Sequence, residues 1–424
     1  MNRFKSAGMA LALAVLAVVV LASPVPADPP DFARPDGPGP FGVGVTTFSA
    51  TMSGGRVTRI QVYYPTLDDS DEDSMYTIMT AAGSYQLSSP LGAVHDAQAV
   101  PGLFPLVVHD HGGGAAGADF QRVAQIPLHE AMASHGFVTV VALHSNNAVA
   151  RVLDISLVID VLLSRSTTEG DRLFDSIDPD MIGISGHSSG GAAAIGVAAG
   201  WTENGLIADP RIKSMVLYEP GSNYSLADAS TISIPYLVMG GAQHRTGLAI
   251  PTLFDATVEA TPRIYVLSPN ATHFNYLTGM GTEIDQTREA ALWVDPTLPE
   301  PLTTRTATSA AAARAYDLWN QGEILFPALG YGAGSGRNFC NRVGVDSIRS
   351  LDTDHDGYTD SPPFMATDDF TLEPAIPEEN MVPLIKLYTI AFWKSFLEGD
   401  RRYMPYLTPG YAKQNELEAL VWIE

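Results

Sequence analysis

Between residues 41 and 279 the chain carries two hydrophobic rhythms in turn. Residues 43–52 and 57–64 alternate apolar and polar positions with a period of two, which predicts two antiparallel strands joined at Gly54-Gly55. Short apolar runs at 104–109, 137–143, 182–185, 214–218, 236–239 and 263–267 predict buried strands. Between them, 119–135 and 149–163 carry apolar residues at helical spacing, and 192–199 is a helix of small residues. Strands alternating with helices predict an α/β fold, with a mostly parallel central sheet and helices on both faces. In such a sheet, active residues gather at the carboxyl ends of the strands.

The rhythm breaks at both ends of this core. Residues 1–27 join a basic start, an apolar run over about 7–22 and a small-residue exit at Val25-Pro26-Ala27, the pattern of a cleaved secretory signal. Residues 28–40, rich in Pro, Gly and Asp, read as a mobile entry, and 67–73 as an acidic loop. The core spans 41–279. Residues 280–372 lose periodicity apart from a helical patch at 310–318 and read as an insertion. An amphipathic helix at 383–397, within a closing segment 373–424, returns to complete the core.

Composition narrows the setting. Hydrophobic residues make up 46% of the 424, which supports a sizeable core. A net charge of −23 opposes binding to nucleic acid or anionic membranes. The single cysteine, Cys340, excludes an internal disulfide, so an exported chain of this kind is stabilised by its core. With the signal removed, no membrane span is expected.

The candidate chemistry centres on Gly186-His187-Ser188-Ser189-Gly190, a G-x-S-x-G turn between a predicted strand and the small-residue helix. In that setting the turn lifts a serine hydroxyl to the top of the sheet, and the backbone N–H of Ser189 faces an oxyanion. A base and an acid are then needed. His273 lies just beyond the 263–267 strand and is the candidate base, with His244 as rival and His355 in a separate acidic loop. Glu219 follows the 214–218 strand and is the candidate acid, with Asp228 and Asp255 as substitutes. In His111-Gly112-Gly113-Gly114, glycines permit close approach to a substrate, so Gly113, ahead of Gly112, is the candidate second oxyanion donor.

These motifs, with Gly37-Pro38-Gly39-Pro40-Phe41-Gly42-Val43-Gly44, Val62-Tyr63-Tyr64-Pro65-Thr66 and Thr272-His273-Phe274, resemble the platelet-activating-factor acetylhydrolase group of α/β-hydrolases. Bacterial polyester hydrolases and cutinases are close relatives of that group. The resemblance covers about 36–278 and the helix around 391–397. It implies an α/β-hydrolase fold, Ser188 as nucleophile, His273 as base and an acid at Glu219, where the acetylhydrolase pattern has Asp. Cutinase-like members carry the acid one strand later, where this chain reads Gln243-His244-Arg245, and the cutinase pair of late cysteines is absent from this sequence.

A second motif, Asp352-Thr353-Asp354-His355-Asp356-Gly357-Tyr358-Thr359-Asp360, sets carboxylates at positions 1, 3, 5 and 9 with Gly357 at 6 for the sharp turn, as in the first part of a calcium loop, with Tyr358 as a further candidate ligand. Pro363 falls where a closing Glu belongs, leaving Asp368 or Asp369 to complete it, or a solvated acidic turn. Any calcium held there is expected to be structural; the catalysis itself requires no cofactor. The expected activity is that of a secreted serine carboxylic-ester hydrolase working through an acyl-enzyme on a small-molecule, lipid or polymeric ester. A peptidase or amidase on the same scaffold, and a non-catalytic ligand-binding domain, are the alternatives.

Overall fold

The computed structural model describes residues 33–71, 73–80, 83–112, 119–145, 147–241, 246–268, 271, 273–276, 378–416 and 419–424. In chain order these form β1 (Gly42–Thr51), β2 (Val57–Thr66), β3 (Met75–Thr80), β4 (Gly83–Ser88), β5 (Val94–His95), β6 (Phe104–Asp110), α1 (Ile126–Ser134), β7 (Val138–Ala142), α2 (Ala148–Ser166), β8 (Ile177–His187) and α3 (Ser189–Ala199). There follow β9 (Ile212–Tyr218), α4 (Leu226–Ala229), β10 (Tyr236–Gly241), α5 (Thr246–Ala256), β11 (Arg263–Ser268), α6 (Glu378–Phe396), α7 (Pro409–Asn415) and β12 (Leu420–Ile423).

Ten strands build one sheet in the order β12-β11-β10-β9-β8-β6-β7-β2-β1-β5. From β7 through β6, β8, β9 and β10 to β11 every pairing is parallel. Antiparallel pairing sets in where β2 meets β7 and where β12 meets β11. The molecule is therefore α/β with a large, mostly parallel sheet, as the alternating pattern predicts. Strands β3 and β4 form a separate hairpin that adds to the predicted elements. It is tied to α1 by the buried carboxylate of Glu130, which accepts hydrogen bonds from the Tyr76 hydroxyl, the Ser89 hydroxyl and the Leu91 N–H, each at 2.7 Å.

Helices cover both faces, which is why the central strands are nearly continuous in apolar residues. On one face Val62, Leu106, Ile184, Leu217 and Val238 pack with Ile155 and Leu162 of α2, Ala194 of α3 and Leu253 of α5. On the other, Val45, Tyr63 and Val141 pack with Ile126 and Ala133 of α1. Helix α6 lies against the strand that feeds the candidate site: a Cβ on Gly183 of β8 would lie 2.6 Å from the Trp393 ring, and the Tyr218 hydroxyl is 2.9 Å from that of Thr389. The helix expected over 119–135 divides into a 3-10 turn at Asp119–Arg122 and α1, because Pro127 falls in the first turn of α1, where the missing N–H costs no hydrogen bond.

Residues 33–41 are held to this body. The Phe41 N–H donates to the Ser134 carbonyl at 3.0 Å, the Gly39 N–H to Ser134 Oγ at 2.9 Å, and the Tyr403 hydroxyl to the Ala33 carbonyl at 3.1 Å. The expected signal at 1–27, the insertion at 280–372 and Cys340 lie outside the described residues. Among the described residues, no helix is long and apolar enough to cross a membrane.

Candidate active site

Parallel pairing brings the carboxyl ends of β6, β8, β9, β10 and β11 to one edge. Asp110 pairs with Gly186, His187 with Tyr218, Tyr218 with Met239, and Gly241 with Ser268. Residues 111–112, 188, 219 and 271 therefore leave the sheet side by side.

Ser188 follows the last residue of β8 and precedes the first of α3, with φ +56° and ψ −123°. That region is nearly closed to any residue with a Cβ, and such strain persists only where the surroundings hold it. Here the Ser188 N–H donates to the Tyr218 carbonyl at 3.1 Å, while its own carbonyl accepts from Gly221 at 2.6 Å and from Ala192 at 3.2 Å. Gly190 makes the tight turn possible: a Cβ there would overlap the Asp110 carbonyl and lie 2.6 Å from that of His111. Ser188 remains partly open to solvent, whereas His187 is buried. With Ser189 starting α3, its backbone N–H is one of the helix's first N–H groups, which have no partner in the preceding turn.

Glu219 also carries a left-handed backbone, with φ +44°, and is fully buried. Its N–H donates to the Met239 carbonyl at 2.9 Å, and its carboxylate accepts from the Gly241 N–H, so the acid is anchored across the ends of β9 and β10. Tyr265 and Tyr276 stand near enough that burial first and the Glu219 charge second push both hydroxyls well above the ordinary tyrosine range. The chain leaving β11 crosses here. A Cβ on Gly241 would overlap the Ala271 carbonyl, and His273 opens a 3-10 turn, His273–Tyr276, pinned by Gln125 Nε2 donating to the Tyr276 carbonyl at 2.7 Å. His273 is described through its backbone alone, and its imidazole lies outside the described residues. The segment bearing it runs directly over the strand ends that hold Glu219.

On the other side of Ser188 lies the chain leaving β6. A Cβ on Gly112 would stand 3.0 Å from His187 Nδ1 and 3.5 Å from the Ser188 Cβ, which places this backbone against the candidate nucleophile. His111 fastens it. Nδ1 is 2.7 Å from the Gly112 carbonyl and so carries the proton, and Nε2 accepts from the His144 N–H at 3.0 Å. Burial, and then the Arg151 charge, hold the His111 pKa down at about 3, which keeps the ring neutral. Gly113 and Gly114 lie outside the described residues.

The sequence reading overlooked the charged pair behind this loop. Asp110 ends β6 at 0% exposure, and Arg151 of α2 is 2% exposed. Burial raises the Asp110 pKa, but the Arg151 charge, His144 and the guanidinium hydrogen bonds outweigh it, and the carboxylate sits below its ordinary value. The clue was in the pattern: Arg151 occupies the same helical stripe as Ile155, Val158 and Leu162, where a charge is out of place unless paired.

The substitutes for the acid are elsewhere. Asp228 accepts from the Thr202 N–H at 3.1 Å and hydroxyl at 2.7 Å, and Asp255 is exposed on α5. His244, His355, Asp352, Asp354, Asp356, Tyr358 and Asp360 lie outside the described residues. Among the described residues no group of three or more His, Cys, Asp or Glu side chains is arranged to hold a metal. In comparison with known proteins, no protein-family model matches the chain, and no curated protein matches it significantly.

Proposed function

We propose that this chain is a secreted serine carboxylic-ester hydrolase of the α/β-hydrolase type. The observation that carries the reading is the backbone of Ser188, strained at φ +56° between a buried strand and a helix, yet partly open to solvent. A serine there has no structural reason to accept such a conformation, and a nucleophile does.

In the proposed reaction Ser188 Oγ attacks the ester carbonyl carbon while His273 takes its proton. The tetrahedral oxyanion is held by the N–H groups of Ser189 and Gly113. Glu219 orients the imidazole and balances the imidazolium charge. Collapse expels the alcohol, which receives the proton from His273, and leaves an acyl-enzyme; water activated by the same base then releases the carboxylic acid. Export through residues 1–27 and structural calcium at 352–360 belong to the same proposal, and an EDTA arm in thermal melts tests the second.

A fluorophosphonate probe and matched p-nitrophenyl ester and anilide substrates test the reading. Covalent labelling at Ser188, with ester turnover far above anilide turnover, is the expected result. Purified, folded protein that neither labels nor hydrolyses esters sinks it, and faster anilide turnover would transfer the assignment to a peptidase.

A further inference from the structure

The Arg151 guanidinium holds both chain segments between which the proposed oxyanion would form. Nε donates to Asp110 Oδ2 at 3.0 Å and Nη2 to Asp110 Oδ1 at 2.6 Å, a two-pronged pair at the carboxyl end of β6. Nη2 also donates to the carbonyl of His111, the residue before Gly112. Nη1 donates to Ser189 Oγ at 3.2 Å, on the residue that starts α3. One rigid, planar group thus joins the chain leaving β6, helix α2 and the chain leaving β8. Beneath it, His144 stands between two carboxylates, with Nε2 3.8 Å from Asp110 Oδ1 and Nδ1 3.7 Å from Asp154 Oδ2. Asp154 is in turn held by Arg56 at 2.5 Å and by the Ser53 hydroxyl at 2.6 Å.

Stability is a poor reason for this arrangement. A buried ion pair gains little over well-packed apolar side chains of the same volume, because desolvation cancels most of the attraction. What an apolar pair cannot do is grip a carbonyl on one loop and a hydroxyl on another at a set separation. An oxyanion pocket needs that property, because its donors act only when their spacing is fixed before charge develops.

We infer that Arg151 is a positioning residue for the oxyanion pocket, setting the distance between the Ser189 N–H and the backbone of Gly112, the residue after His111. The inference rests on the esterase reading and deepens it. Arg151 touches no substrate atom; it acts through Asp110, His111 and Ser189. Loss of the fork leaves substrate binding in place and weakens only the hold on the tetrahedral species.

The test compares the wild type with Arg151→Lys, with the double variant Asp110→Asn/Arg151→Met and with Ser189→Ala, using a p-nitrophenyl ester, its thionoester and an alkylboronic acid. Lys keeps the charge but not the fork, and the double variant removes both buried charges together. Both are expected to lose kcat by about 10- to 100-fold with KM within about threefold, and to bind the boronic acid more weakly by the same factor. The thionoester, whose sulfur is held poorly by such a pocket, is expected to lose far less. A folded Arg151→Lys or double variant with wild-type kcat and boronate affinity overturns the inference, as does an equal loss on ester and thionoester. Should neither variant fold, Ser189→Ala decides: it removes only the hydroxyl anchor, and unchanged kcat with an unchanged melt rejects the role. A wild type that fails to label with fluorophosphonate would instead sink the esterase reading itself.

Discussion

Strand β8 has a left-handed, non-glycine residue near each end: Asp175 at φ +54° just before it and Ser188 at φ +56° just after it. The angle is nearly the same and the circumstances are opposite. Asp175 is exposed, lies in the connection from α2 and belongs to a residue type that tolerates this conformation. Ser188 has no such tolerance. It is wedged between Gly112 and Gly221, with backbone bonds to three neighbours fixing it in place. The same backbone angle is thus ordinary turn chemistry at the amino end of the strand and enforced strain at the carboxyl end. The carboxyl end is where five parallel strands deliver their loops together, and Glu219, a fully buried non-glycine residue with positive φ, stands one strand away.

The sharpest way to break this comparison is to treat the two ends alike. Ser188→Ala is expected to remove ester turnover by about 10,000-fold or more while leaving the melting temperature within a few degrees, and Asp175→Ala to leave kcat unchanged. Equal kinetics from the two variants would dissolve the distinction. Glu219→Gln comes next. It keeps the volume and the bond from Gly241 but loses the charge, and a fall in kcat of about 1,000-fold is expected in steady-state assays.

Packing around the two ends can be tested by stability. Gly190→Ala forces a methyl group into the Asp110 carbonyl and is expected to cost about 3 kcal/mol in urea unfolding, because backbone must move. Comparable in size over its full range is an effect of pH. His129 has no hydrogen-bond partner for either ring nitrogen among the described residues, and its ring centre is 4.9 Å from that of His109. Burial holds the His129 pKa at about 3 against an ordinary 6.5. The unfolded chain therefore takes up a proton that the folded chain refuses, and stability is lost as pH falls from about 6.5 towards 3, by at most about 1.4 kcal/mol per pH unit for this ring. His129→Leu is expected to flatten the acid limb of a plot of melting temperature against pH, and an unchanged slope would count against it.

The smallest expected effects sharpen the comparison most directly. Ser188→Gly releases the strain and is expected to raise stability by about 1 kcal/mol while abolishing turnover. Asp175→Gly releases little and is expected to stay within about 0.5 kcal/mol of the wild type. A Gly effect larger at 175 than at 188 would reverse the argument.

Much of the frame was legible along the chain. Runs such as 104–109 and 236–239 read as buried strands because both faces of the sheet are covered, and Ser188 was singled out because the glycines around it leave a tight turn little alternative. The β3–β4 hairpin was overlooked, although Tyr76 and Ile78 alternate with exposed Met75 and Thr77, because its anchor, Glu130, comes more than forty residues later. Arg151 was overlooked for a related reason: a charge on an apolar stripe makes sense only beside a partner from another element.

Local pattern alone determined the order of strands and helices, the strand–turn–helix around Ser188 and the polar residues that close the strands, since side-chain periodicity and glycine sterics act over a few residues. Tertiary structure decided which strand ends lie next to one another, and with them the anchoring of Glu219 on Gly241, the approach of Gly112 to Ser188 and the bridge from Arg151 to Asp110 and Ser189. Those contacts join residues tens of positions apart, and their geometry comes from sheet register and helix packing, which no short stretch of sequence contains.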